Sequence, residues 1–169
     1  TVKKYLPPFK PVNRLHPDNP VTMGAFGMPG IYTETRKAQD SALIGAKPEI
    51  LKAWQEMADL TGRHYKPVES YHAEGAETLF LTMGSIGETV SVAVDELRSE
   101  GKSVGQLSLR LWRPFPLEEF RQAAAGTKRI IVLDRAVSMG GQGGPLATEI
   151  RSVLYKEKNM PVITNFLCG

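Results

Sequence analysis

From Glu77 to the last residue, apolar runs of strand length alternate with stretches of helical period, and few folds accommodate that rhythm. Thr78 to Thr82 is a short apolar strand, and Gly84-Ser85 is a turn. Ile86, Val90, Ala93, Val94 and Leu97 then mark one face of a helix ending at Gly101, with Ser85 and Glu88 spaced as a capping box. In Val104 to Trp112, Leu107, Leu109 and Leu111 alternate with Ser108 and Arg110, the period of a half-buried strand. Arg113-Pro114-Phe115-Pro116 ends that strand. Pro116, with its φ preset and no N–H to leave unpaired, suits the first position of the next helix. That helix runs to about Ala125 and stops at Gly126, with Glu118 and Glu119 in the first turn, where the dipole favours them. Arg129 to Leu133, RIIVL, is nearly all apolar, as a middle strand of a parallel sheet requires, and places Asp134-Arg135 at its carboxyl end. Pro145 opens a helix to about Lys156, and Pro161 to Phe166 is a last strand. The pattern predicts an α/β fold: an open, mostly parallel sheet with helices on both faces and right-handed crossovers.

The upstream part has a different character. Residues 1–31 hold six of the twelve prolines, in LPPFKP, HPDNP and GMPG, and show little periodicity. Leu6, Phe9, Leu15, Met23, Phe26 and Met28 give the stretch apolar anchors, so it reads as an ordered extended arm. Residues 32–76 read as a helical connecting segment. One helix starts near Thr33, Pro48 interrupts the pattern, and Ile50, Trp54, Met57 and Ala58 continue at helical spacing up to a stop at Gly62. Residues 77–169 form the α/β domain.

Composition narrows the classes. Hydrophobic residues at 41% and charged residues at 23% suit one well-buried globular core. No apolar run approaches the roughly 20 residues that span a bilayer. No basic segment followed by an apolar stretch opens the sequence, so a cytoplasmic setting is expected, with no membrane partner. The net charge is +3, and the densest short basic runs, Lys3-Lys4 and Arg36-Lys37, lack the interleaved aromatics of a nucleic-acid platform. The single cysteine, Cys168, excludes an internal disulfide and a four-thiolate iron–sulfur cluster built by this chain alone.

Two glycine-rich turns are candidates for holding a cofactor phosphate. Met139 to Pro145, MGGQGGP, joins a strand to a helix N-terminus, and Gly141, Gly143 and Gly144 are its candidate residues. Its spacing departs from G-x-G-x-x-G, because Leu146 falls at the third glycine position, and no Lys follows for a P-loop. Tight turning, or close approach to a neighbouring subunit, explains these glycines more simply. Gly84 and Ser85 are the second candidate, with a plain helix cap as the simpler reading. His16, His64 and His72 lie far apart, without a second ligand at a metal-binding interval, so no metal site is expected. Ser138 has no G-x-S-x-G elbow around it and reads as a loop hydroxyl. Trp54 and Trp112 read as packing residues. Asp134 and Arg135 either pair with each other or point into the crevice at the carboxyl ends of the strands, where open α/β sheets place function. No paired carboxylates or triad emerges, and no catalytic residue is expected in this chain.

Particular wording goes further than periodicity. MGS at Met83 to Ser85, VGQLSLRLWRPFP at Val104 to Pro116, VLDR at Val132 to Arg135, and GGPL at Gly143 to Leu146 with Thr148-Glu149 occur in order. Upstream stand NPVTMG at Asn19 to Gly24, Tyr32, Glu34, and Gly62-Arg63 with Tyr65. Together they resemble the alpha-chain region of pyruvate:ferredoxin oxidoreductase, a member of the 2-oxoacid:ferredoxin oxidoreductases. The resemblance implies the second domain of that chain, similar to the carboxyl-terminal domain of transketolases, with the arm that leads into it. It implies an assembly role within an enzyme that oxidises a 2-oxoacid, pyruvate by the wording of RPFP and VLDR, to acetyl-CoA while reducing ferredoxin. Thiamine diphosphate, magnesium, iron–sulfur clusters and coenzyme A belong to that complex, and none is expected on this chain alone. Other domains or subunits are the implied partners, in a hetero- and homo-oligomer, and ferredoxin is reached through the complex. Arg113, Phe115, Asp134, Arg135 and Ser138 are the candidate interface residues. The family continues beyond Cys168-Gly169 through a glycine-rich turn with Arg and Asp, so the α/β domain is expected to be truncated at its C-terminal end. Two other readings stay open: a free-standing nucleotide- or coenzyme A-binding module, and the C-terminal domain of another transketolase-like enzyme.

Overall fold

The fold is given by a computed structural model that describes residues 2–12, 14–21, 23–24 and 26–169. The chain divides between Ser41 and Ala42 into two compact units. The first holds a short helix α1 (Val2–Tyr5), a bridge between His16 and Asn19, and most of α2 (Pro29–Gly45). The expected helix start at Thr33 is four residues late. Pro29 occupies the first helical position, where its missing N–H leaves nothing unpaired. The N–H groups of Ile31 and Tyr32 both reach the Met28 carbonyl at 3.0 Å.

The second unit begins with the end of α2 and α3 (Lys47–Thr61). Pro48 lies in the first turn of α3, and Gly62 ends it in the left-handed conformation, φ 73°, with its N–H on the Ala58 carbonyl at 2.7 Å. Then come β1 (Val68–Tyr71), β2 (Thr78–Thr82), α4 (Ile86–Ser99), β3 (Val104–Leu109), α5 (Leu117–Ala123), β4 (Arg129–Asp134), α6 (Pro145–Leu154) and β5 (Val162–Leu167). The sheet order is β1-β3-β2-β4-β5, all parallel except β1. It is an open, mostly parallel α/β sheet, as expected.

β1 lies within residues 32–76, read from the sequence as a helical connecting segment, in the part beyond the expected helix stop at Gly62. Its four residues pair antiparallel with β3, Val68 opposite Leu109. A strand this short, with Glu69 and Tyr71 on one face, shows no period that a sequence can display.

Helices pack on both faces. Under α5 and α6 lie Leu79, Leu81, Leu107, Leu109, Ile130 and Val132, packed with Phe120, Leu146 and Ile150. On the other face α4 lays Val90 and Val94 against Val104, with Phe80 and Leu133 beside them. β3 is therefore buried along most of its length, not half-buried. It also ends at Leu109 instead of Trp112. The Arg110 and Leu111 N–H groups both turn to the Pro67 carbonyl, at 2.9 and 3.1 Å. Pro116 caps α5 one residue before its first turn.

Candidate functional site

Parallel strands aim their carboxyl ends at one edge of the sheet, and α4 and α6 start there. The two glycine-rich turns lie at this edge, and their chemistry is opposite.

At α6 the anion site is filled by the chain itself. Asp134, the last residue of β4, is only 4% exposed. Its carboxylate accepts from the Leu146 N–H at 3.0 Å and the Ala147 N–H at 3.1 Å. Asn165 of β5 closes the arrangement. Its Oδ1 accepts the Gly144 N–H at 2.8 Å, and its Nδ2 donates to Asp134 Oδ2 at 2.9 Å. The N–H groups that a bound phosphate would need are taken, and negative charge already meets the positive end of the helix. A Cβ on Gly144 would overlap the Asp134 carboxylate, so this glycine is required by an internal side chain. Gly143, at φ 115°, lies next to Asn165, and Gly141 donates to the Ser138 carbonyl at 2.8 Å. Of the candidate residues, Gly143 and Gly144 lie against this latch, and Gly141 lies in the turn that leads to it.

At α4 the end is open. Ser85 makes no side-chain cap hydrogen bond, so the capping box expected from Ser85 and Glu88 does not form; Ser85 itself is in the right-handed helical conformation. Gly84, at φ 80°, turns the chain into the helix. The turn borders a groove of about 660 Å³ with Met83, Ser108, Gln106, Arg110 and Glu69 among its walls. Gln106, 3% exposed, donates to the Gly87 carbonyl at 3.0 Å and lies 2.9 Å from Ser108 Oγ. Its Oε1 is buried without a hydrogen-bond partner. Arg110 grips Glu69 through two hydrogen bonds, at 2.8 and 2.6 Å, and stacks on Tyr65. The hydrogen bonds to Glu69 hold the guanidinium above its usual range. At the rim, the Tyr71 hydroxyl donates to Asp95 at 2.9 Å, which raises the phenol above its ordinary value.

The expected interface residues are divided. Asp134 is turned inward and pairs with backbone and Asn165, not with Arg135. Arg135 is exposed beside it. Arg113 bonds to Glu149 at 2.8 Å and lies over the Trp112 ring, and Phe115 packs edge-on against Phe120. Ser138 lies in the glycine loop, its N–H on the Gly143 carbonyl. Met139, 90% exposed, tips that loop. Sequence reasoning missed Gln106 and Asn165. The signal for each is a polar residue inside an apolar strand, VGQLSL and VITNFL.

These residues do not fit the redox cofactors that the family wording implies. The one thiol, Cys168, is directed at the Asp134 carbonyl, and no three metal-binding side chains converge among the described residues. Nor is any helix among them long and apolar enough to cross a membrane.

Residues 76–169, more than half of the chain, match the family described as pyruvate:ferredoxin oxidoreductase core domain II. The chain is 39% identical over 153 residues to pyruvate synthase subunit PorA of Methanothermobacter thermautotrophicus, covering 90% of this chain and 40% of that one. It is 36% identical over 171 residues to PorA of Methanocaldococcus jannaschii, covering 99% and 43%. It is 39% identical over 170 residues to ketoisovalerate oxidoreductase subunit VorA of Pyrococcus horikoshii, again covering 99% and 43%. The chain thus spans about two fifths of the length of these relatives.

Proposed function

Since the chain belongs to the pyruvate:ferredoxin oxidoreductase family and carries its core domain II, we propose that it serves as an assembly domain of a 2-oxoacid:ferredoxin oxidoreductase. The reaction in that complex is the oxidative decarboxylation of pyruvate to acetyl-CoA with reduction of ferredoxin. Thiamine diphosphate, magnesium, iron–sulfur clusters and coenzyme A are held by other domains or subunits. The complex works in the cytoplasm.

One observation carries this reading. The group best placed for chemistry at the sheet's carboxyl edge, the Asp134 carboxylate, is committed to the N-terminus of α6. A carboxylate held this way organises a loop: three of its roughly four acceptor sites are taken by the chain itself, and the residue is only 4% exposed. The arrangement around Asp134 therefore supports a rigid edge, with Met139 and Arg135 offered outward, more readily than a reaction centre. The isolated chain should show no 2-oxoacid-dependent reduction of a viologen dye when supplied with thiamine diphosphate, magnesium and coenzyme A. Turnover by this polypeptide alone would overturn the proposal.

A second reading has its own support. The open end of α4, the Gln106 oxygen without a partner and the adjoining groove suit a nucleotide- or coenzyme A-binding module centred on Gly84 and Ser85. Calorimetry with nucleotides and coenzyme A decides it: a 1:1 isotherm abolished by Gln106→Leu supports this reading, and no heat with any of them removes it.

A further inference from the structure

On the face that carries α4, the sheet has two uncovered flanks, and they differ in kind. The flank over β1 presents Glu69 and Tyr71 with Arg110 beside them, groups at home in water. The flank over β4 and β5 presents Ile131, Leu133, Val162 and Phe166, with Thr164 between them; Val162 is 65% exposed and Phe166 55%. Val162 and Phe166 lie on the edge strand β5, whereas Ile131 and Leu133 of β4 are half-buried, Leu133 touching the cluster under α4. β4 is an interior strand, paired with β2 and β5, and its opposite face, Ile130 and Val132, is fully buried beneath α6. Parallel strands are normally covered on both faces.

The space beside α4 has the dimensions of a helix. α4 packs over β3 and β2, and neighbouring strands lie roughly 4.8 Å apart, so the seam between β4 and β5 is about two spacings away. That distance, close to 10 Å, is the usual separation of packed helix axes, about 8–10 Å. The wall of α4 suits such a neighbour. Val90 and Val94 face the sheet, and Asp95 turns towards β1, where it meets Tyr71. At about 100° per residue, Thr89, Ala93 and Glu96 then face the β4 side. Thr89 and Ala93 are small enough for a helix to approach closely. Glu96 and Arg129 stand at the amino-edge end of the slot; neither is in an ion pair among the described residues, and Arg129 acts at longer range on Glu77, whose carboxyl it helps to lower.

We infer that this flank is the seat of an amphipathic α-helix from the same polypeptide, outside residues 1–169. Its apolar face covers Ile131, Leu133, Val162 and Phe166, and it carries a basic residue against Glu96 and an acidic one against Arg129. The length of the relatives supports a source in the same chain: more than half of each lies outside the stretch matched here. The inference uses the fold and that length, not the reaction, so it stands or falls separately from the assembly role proposed above.

The test uses the full-length polypeptide in its native complex, with a photo-crosslinking benzoylphenylalanine in place of Val162. The crosslinked peptide, identified by mass spectrometry, should lie in a helix of the same polypeptide beyond these 169 residues. Ala93→Trp, which fills the slot, should lower the crosslink yield at least tenfold. The helical signal of the 169-residue chain should be unchanged by that substitution, because Ala93 is exposed there. A crosslink to a separate subunit or a second copy, no crosslink, or a yield unaffected by Ala93→Trp would overturn the inference.

Discussion

Asn165 Nδ2 donates to Asp134 Oδ2 at 2.9 Å, joining the carboxyl ends of β4 and β5 through side chains at the point where the glycine loop departs. The same amide holds Gly144 through its other atom, and the same carboxylate holds Leu146 and Ala147. Three strand and helix ends thus depend on two polar side chains.

Asp134→Ala should lower stability by about 3 kcal/mol, since hydrogen bonds to a charged acceptor contribute roughly 1.5–3 kcal/mol and their loss leaves buried N–H groups unmet. Asp134→Asn should lose about 1–2 kcal/mol, because one acceptor becomes a donor facing a donor. Urea denaturation measures both. An unchanged midpoint in Asp134→Ala would show that the carboxylate is not holding α6.

Gly105→Ala tests a second close approach. A Cβ there would overlap the His72 carbonyl, which belongs to rigid backbone, and β3 is buried around it. A loss of roughly 2 kcal/mol or more is expected, at the upper end for overpacking. Gly45→Ala, where nothing lies within 4 Å, is the control and should be neutral or slightly stabilising.

Ser85→Ala should change stability by less than about 0.5 kcal/mol, below the usual loss for an N-cap, because the hydroxyl caps nothing. A midpoint shift worth about 1 kcal/mol would mean that the capping box forms in solution.

The contrast between the two turns shows what was legible in the sequence. The strand and helix rhythm from Thr78 onward is written in apolar spacing, because burial on each face imposes a period. Whether a glycine turn cradles a ligand is not written there. In MGGQGGP the answer depends on Asp134 and Asn165, one eleven residues before Pro145 and the other on the next strand, brought together only by sheet register. β1 was missed because its face towards water needs no apolar residues.

Lys47 Nζ lies 2.6 Å from Glu119 Oε1, tying α3 to α5. Partial burial is the largest single influence and raises the Glu119 carboxyl, but the hydrogen bond from Lys47, a backbone hydrogen bond and the Lys47 charge together outweigh it, and the group sits below its ordinary value. A carboxyl depressed in the folded state contributes stability above the unfolded value, and that contribution is lost as pH falls through the folded one. Glu119→Gln should therefore be less stable than the parent at pH 7, with the gap closing below about pH 4. A gap that is constant with pH would deny the ion pair any role.

The central claim is that this domain holds a 2-oxoacid oxidoreductase together without supplying its cofactors. Native mass spectrometry of the full-length polypeptide, co-expressed with its partner subunits with and without the equivalent of residues 42–169, tests this most directly. The account predicts a thiamine- and iron–sulfur-bearing complex with the domain and dissociated subunits, still loaded with cofactor, without it. An intact complex lacking the domain, or loss of bound cofactor from subunits that remain assembled, would contradict it.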